Sequence, residues 1–287
     1  VPAPLLFVVS AIAQYVGAAV AVDLFDRMGP GTVAWLRVAI AALVLVLWTR
    51  PWGSRGRWTR PALRTAALFG VVLAVMNVAF YVALDTLPLG TAVALEFAGP
   101  VAVAAIIGSG WRDRAAIVVA ASGVVLLAGV SLHLGDEAVR GLVAIAVAAT
   151  CWALYIVLGR RVATAPTGGL TGLGVAMAAG ALVLAPFLAR DAGPVLTDAR
   201  LAVLVVLVAL LSSVVPYGIE QVVLRRVRPA TFAVLLALLP ATAAVVGAVM
   251  LQQVPHGVEV VGLVLVSGAI ALTARTTDAD REAPPPA

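Results

Sequence analysis

Residues 87–106 read LPLGTAVALEFAGPVAVAAI, an apolar run long enough to cross a bilayer, for which about 20 residues suffice. Two of its residues do not suit that setting. Glu96 places a carboxyl group near the middle, and Pro100, four residues on, has no N–H to bond the carbonyl of Glu96. In hydrocarbon both the charge and the free carbonyl are costly, so both must face protein or a polar cavity. Either Glu96 is a structural acid beside a proline kink, or it marks a substrate or proton site. An ionisable residue inside a span favours the second reading.

The rest of the chain has the same character. Of 287 residues, 63% are hydrophobic and 11% charged, with a mean hydropathy of +1.10. Soluble domains carry about 25% charged residues. The apolar runs are continuous, whereas a membrane barrel alternates apolar and polar residues in segments of about ten. The reading is an all-α polytopic membrane protein with ten spans, at residues 3–22, 30–49, 63–84, 88–109, 115–132, 140–158, 168–188, 201–223, 229–251 and 257–274. The first run lacks a basic flank and is followed at once by another, so it reads as a helix of the mature chain and not as a leader.

The net charge of +5 does not imply a nucleic-acid partner, because the basic residues, all Arg, fall in short clusters between apolar runs. Those clusters set orientation, since basic residues favour cytoplasmic loops. Fourteen arginines fall on one side: Arg50, Arg55, Arg57, Arg60, Arg64, Arg112, Arg114, Arg160, Arg161, Arg225, Arg226, Arg228, Arg275 and Arg281. Four fall on the other, Arg27, Arg140, Arg190 and Arg200, with Arg37 left inside a span. Both termini are therefore expected in the cytoplasm. Trp48, Trp52, Trp58 and Trp111 flank the cytoplasmic loops, as interfacial aromatics do. Residues 276–287, TTDADREAPPPA, read as a disordered cytoplasmic tail.

Sliding the chain against itself by 140 residues brings Tyr15 onto Tyr155, Leu84 onto Leu224, Thr91 onto Thr231, Leu95 onto Leu235 and Pro100 onto Pro240. Gly123 and Gly129 meet Gly262 and Gly268 after a one-residue slip. The expected domains are thus two five-helix repeats, residues 1–134 and 135–275. Five is odd, so the second repeat is inverted in the membrane, an architecture of secondary transporters with a site near the midplane. Pro240 would kink its span and free the carbonyl of Leu236, as Pro100 does for Glu96. Dense small residues, as in residues 169–181, allow close helix packing.

Polar residues inside the spans are the candidate site. Asn77 and Tyr81, four apart, share a helix face, and the repeat maps them to Tyr217 and Gln221. Gln14, Tyr15, Trp152 and Tyr155 lie in spans 1 and 6. Arg37 either snorkels outward or binds a substrate carboxylate. Glu220 reads as a partner of Arg225 or Arg226, and Glu259 as a solvated acid. An aromatic, amide-lined cavity with one acid and one Arg suits a small polar molecule. For an α-amino acid, Arg37 would face the carboxylate and Glu96 the ammonium; alternatively, Glu96 carries a coupling proton. No cofactor is implied. Cys151 is alone, His133 and His256 sit at span ends, and no P-loop pattern occurs. An intramembrane serine hydrolase would need Ser10, Ser122, Ser212 or Ser213 beside a base, and neither His lies mid-span. A passive channel differs from a carrier in needing no coupling.

Three stretches carry a family resemblance: MNVAFYVALDTLPLGTAVALEFAGPVAVA at 76–104, CWALYIVLGRR at 151–161, and SSVVPYGIEQVVLRRVRPATF at 212–232. In these the chain resembles the drug/metabolite transporter superfamily with its EamA-type repeats, and most narrowly the bacterial threonine/homoserine exporter group. The resemblance implies an inner-membrane permease with both ends cytoplasmic, exporting amino acids or related metabolites on the proton gradient, with drug efflux as the alternative. The chain departs from the family at Leu239, where relatives often have an acid, and at Gln252-Gln253, where they often have Gly-Glu.

Overall fold

The computed structural model describes residues 3–54, 58–107, 111–132, 135–163, 165, 169–224 and 235–282. Among them the chain is almost entirely helical. The long elements are α1 (Ala3–Val22), α3 (Pro30–Thr49), α4 (Arg60–Leu84), α7 (Trp111–Leu132), α8 (Asp136–Ala163) and α9 (Leu170–Leu188). Short helices α2 (Phe25–Met28) and α10 (Gly193–Thr197) lie in loops. α11 (Ala199–Ala209) passes through a π-wound stretch, Leu210–Val214, into α12 (Val215–Leu224). α13 (Leu239–Met250) and α14 (Val258–Glu282) complete the described chain.

Local chemistry sets the ends. Pro30 opens α3 after Gly29, whose φ of 73° suits glycine. Thr59 accepts the Ala62 N–H at 3.3 Å to cap α4. Asp198 accepts the N–H groups of Arg200 and Leu201 at 2.9 and 3.2 Å, capping α11. Glu259, in the first turn of α14, accepts the N–H of the loop residue His256 at 3.1 Å.

Among the described residues, seven helices are long and apolar enough to cross a membrane; Leu89–Val103, Leu239–Met250 and Val258–Leu272 are shorter apolar helices. The expected span at 88–109 is two helices, α5 (Leu89–Glu96) and α6 (Ala98–Ile107), interrupted at Phe97. Pro100 withholds the N–H that would have bonded Glu96, and the ladder restarts with Val101 N–H to Phe97 at 3.1 Å. In the same way, Pro240 sits in the first turn of α13 after a turn in which Leu238 N–H bonds Leu235 at 3.0 Å. Each proline thus lies in the first turn after an interruption.

α14 runs on to Glu282. From 269 to 283 there is no Gly or Pro to stop a helix, and the first stop signal is Pro284. His133, Arg225, Arg226, Arg228 and Thr231 lie outside the described residues, as does the side chain of Glu220, so the readings placed on them are not addressed by the fold.

α3 packs on α9, α4 on α8 and α9, α5 on α13, and α7 on α14. α1 packs on α11, α12 and the π stretch between them. The crossing of α4 and α9 is the tightest: a Cβ on Gly70 would strike the backbone of Ala176, and one on Gly180 the backbone of Gly70. Leu43, Leu47, Leu68, Val125, Leu182 and Val264 point outward and are exposed, an apolar surface suited to lipid. Trp48, Trp52 and Trp111 are exposed at helix ends, and Trp58 is half-buried, donating to the Pro51 carbonyl at 3.4 Å.

Candidate functional site

Inside the bundle is a cavity of about 290 Å³. Its polar lining comes from Gln14 and Tyr15 on α1, Arg37 on α3, Asn77 on α4, Glu96 on α5, Tyr155 on α8, Ser212 in the π stretch and Tyr217 on α12. Met76, Phe80, Val93, Pro100, Trp152, Leu236 and Leu239 supply most of its apolar wall. A second cavity, of about 90 Å³ beside Trp58, Thr65 and Arg161, has room for only a few waters.

Arg37 is 6% exposed, which excludes the outward-snorkelling reading. Its Nε donates to Ser213 Oγ at 2.9 Å, and its Nη2 donates to the Ser212 carbonyl at 2.7 Å. The guanidinium carbon lies 5.3 Å from the centre of the Tyr81 ring, within cation–π range. Glu96 faces the same cavity, close enough to Arg37 for attraction. Among the described residues neither forms a direct ion pair with the other or with any third side chain.

Asn77 is buried and donates to the Leu73 carbonyl at 2.7 Å, leaving its amide oxygen for another donor. The ring of Tyr155 packs 4.9 Å from Phe69, and Trp152 meets Phe97 edge-on at 4.5 Å. These contacts fix the aromatic wall beside Glu96.

Of the residues expected from the sequence, Arg37, Asn77, Glu96, Tyr155 and Tyr217 are brought to one cavity, with Pro100 on its wall. Tyr81 is fully buried behind Arg37, and its hydroxyl has no partner among the described residues. Gln221 lies on α12, with its side chain outside the described residues. Pro240 is buried next to the lining residue Leu239. Sequence reasoning missed Ser212 and Ser213 as partners of Arg37. The available signal was Pro216, four residues after Ser212, which withholds an N–H from the Ser212 carbonyl.

Comparison with known proteins places this cavity in context. The EamA-like transporter family matches residues 139–275. The threonine/homoserine exporter RhtA of Salmonella typhimurium is 34% identical over 253 residues, covering 88% of this chain and 84% of that protein. The protein of the same name from Escherichia coli is 33% identical over 247 residues, covering 86% of this chain and 82% of that one. A solved crystal structure 20% identical in sequence shares the fold with a TM-score of 0.57, over 98% of this chain and 99% of its own. Aligned with these exporters along most of its length, the chain belongs to the EamA-like transporter family of the drug/metabolite transporter superfamily.

Proposed function

We propose that this transporter exports small α-amino acids, with threonine and homoserine the first candidates, in exchange for protons. The observation that carries this reading is one cavity lined by a cation and an acid that do not pair directly, Arg37 and Glu96. A zwitterion supplies the complement to both: its carboxylate to the guanidinium and its ammonium to the carboxylate. A cavity of about 290 Å³ lies at the small end of ligand sites, which favours a metabolite over a drug-sized molecule. The names of the two exporters agree with that chemistry.

The two roles open to Glu96 combine into a mechanism. A carboxylate that holds either a proton or the substrate ammonium, and not both, couples the two occupancies with opposite sign. A proton bound from outside is exchanged for an amino acid bound from inside, and alternating access carries each across.

The proposed frame is ten helices in two inverted repeats, residues 1–134 and 135–275, in the inner membrane with both termini cytoplasmic. The helix packing supports the two-fold part of this frame. In a two-fold arrangement, elements near the axis meet their own counterparts. Here α3 meets α9, α5 meets α13 and α7 meets α14. Gly123 and Gly262, equated by the repeat, face each other across the last of these pairs. Elements off the axis should exchange partners, and α4 against α8 mirrors α11 and α12 against α1.

Everted vesicles from cells with and without the protein test the reading, because uptake into them reports efflux from the cell. Labelled threonine or homoserine should accumulate under a proton gradient and be lost on adding an uncoupler. No accumulation with folded protein present would remove the amino-acid assignment and point to drug or other metabolite efflux. Uptake indifferent to the uncoupler would point to a passive channel.

A further inference from the structure

The π stretch in the helix facing Arg37 has a cause in the sequence. In an α-helix the N–H of residue 216 would bond the carbonyl of Ser212, but residue 216 is proline and has none. The chain instead takes one wide turn over Leu210–Val214, with the Val215 N–H reaching back to the Leu210 carbonyl. The Ser212 carbonyl thus released is the one that receives Arg37 Nη2 at 2.7 Å. Ser213 turns its hydroxyl to Arg37 Nε at 2.9 Å, while the Ser212 hydroxyl donates elsewhere, to the Gln14 carbonyl at 3.0 Å.

The choice of atoms matters. Nε and Nη2 form the side edge of the guanidinium, and that edge is taken by two neutral acceptors. A guanidinium has five N–H donors in a planar fork, so the end edge, Nη1 with Nη2, keeps its donors. The positive charge is held in place without being neutralised, on the wall of the cavity.

We infer that Pro216, Ser212 and Ser213 are positioning residues that present the end edge of Arg37 as a two-point receptor for a carboxylate. The site therefore selects ligands by that group: an amino acid enters and its amide does not. The amide offers one acceptor and no negative charge, and it leaves a buried cation uncompensated. This inference rests on the amino-acid reading of the cavity and adds to it the device that enforces the carboxylate requirement.

The test uses the full chain in liposomes and in detergent. In liposomes, unlabelled threonine should compete with labelled threonine, and threonine amide at equal concentration should not. Pro216→Ala restores an N–H to compete for the Ser212 carbonyl. It should raise KM about tenfold, the scale of one hydrogen bond to a charged group, with kcat changed less than about twofold. Ser213→Ala should raise KM in the same direction, and Ser213→Thr, which keeps the hydroxyl, should restore it. Unchanged KM in Pro216→Ala, or equal competition by the amide, would overturn the inference.

A thermal melt in detergent separates this inference from the transport assignment. Small carboxylates and their amides are compared as stabilisers of the wild type and of Pro216→Ala. If threonine is not transported but carboxylates stabilise the wild type more than amides do, and Pro216→Ala erases that preference, the positioning inference stands and the amino-acid assignment falls. If the wild type shows no carboxylate preference, the inference itself falls.

Discussion

Arg37 carries a full charge into the apolar part of α3, and its surroundings make that tolerable. It has two short hydrogen bonds, an aromatic face at 5.3 Å and an acid across the cavity. A lysine keeps the charge but loses the planar fork, so it cannot hold both serine acceptors and still present two parallel donors to a ligand. Arg37→Lys should therefore raise KM for threonine at least about tenfold in reconstituted liposomes, while the folded yield stays near wild type. An unchanged KM would remove Arg37 from the binding site. At this scale the sequence was most legible where charge met hydrocarbon: Arg37 and Glu96 stood out because their neighbours along the chain are apolar. Ser212 and Ser213 did not stand out. A hydroxyl in a span commonly satisfies itself on its own helix, as Ser122 and Ser131 do here on the carbonyls of Val118 and Leu127. Which serine reaches across to another helix is decided by packing.

Two helices are interrupted at residues that line the cavity, α5 after Glu96 and α11 around Ser212. α5 ends at Glu96 and α6 begins at Ala98, so the carboxyl group stands at a break in the helix on the cavity wall. At the other end of α5, the Leu89 N–H finds the Gln253 side-chain oxygen at 2.9 Å, a tie from the loop after α13. Close packing depends on missing side chains. Gly70 in α4 lies against the backbone of Ala176 and Gly180 in α9, where a larger residue has nowhere to go. Gly70→Leu should lower the melting temperature in detergent by about 5 °C or more, on the usual scale of overpacking. A melt indistinguishable from wild type would mean that this crossing is loose. The prolines responsible for the breaks were readable, because a missing N–H is a property of the residue itself. Their form was not. Pro100 follows a one-residue interruption at Phe97, and Pro240 follows a turn at Ala237–Leu238.

Across the whole molecule, residues far apart in the chain enclose the cavity. Arg27 of α2 with Asp198 at 3.4 Å, and Arg140 of α8 with Asp85 at 3.7 Å, are ion pairs at the surface that join residues far apart in the chain. Such pairs contribute little stability each and can break during a transport cycle. The membrane class was readable from hydropathy and the lipid-facing surface followed from it. The long polar continuation of α14 was not, since composition alone does not say that a helix already formed will keep running. In the proposed mechanism Glu96 links the amino acid to the proton. The direct measurement is threonine movement in liposomes by wild type and Glu96→Gln side by side, with and without a pH gradient. Wild type should accumulate threonine against its gradient, and Glu96→Gln should fail to do so at equal protein level. Gradient-driven accumulation by Glu96→Gln equal to wild type would contradict it.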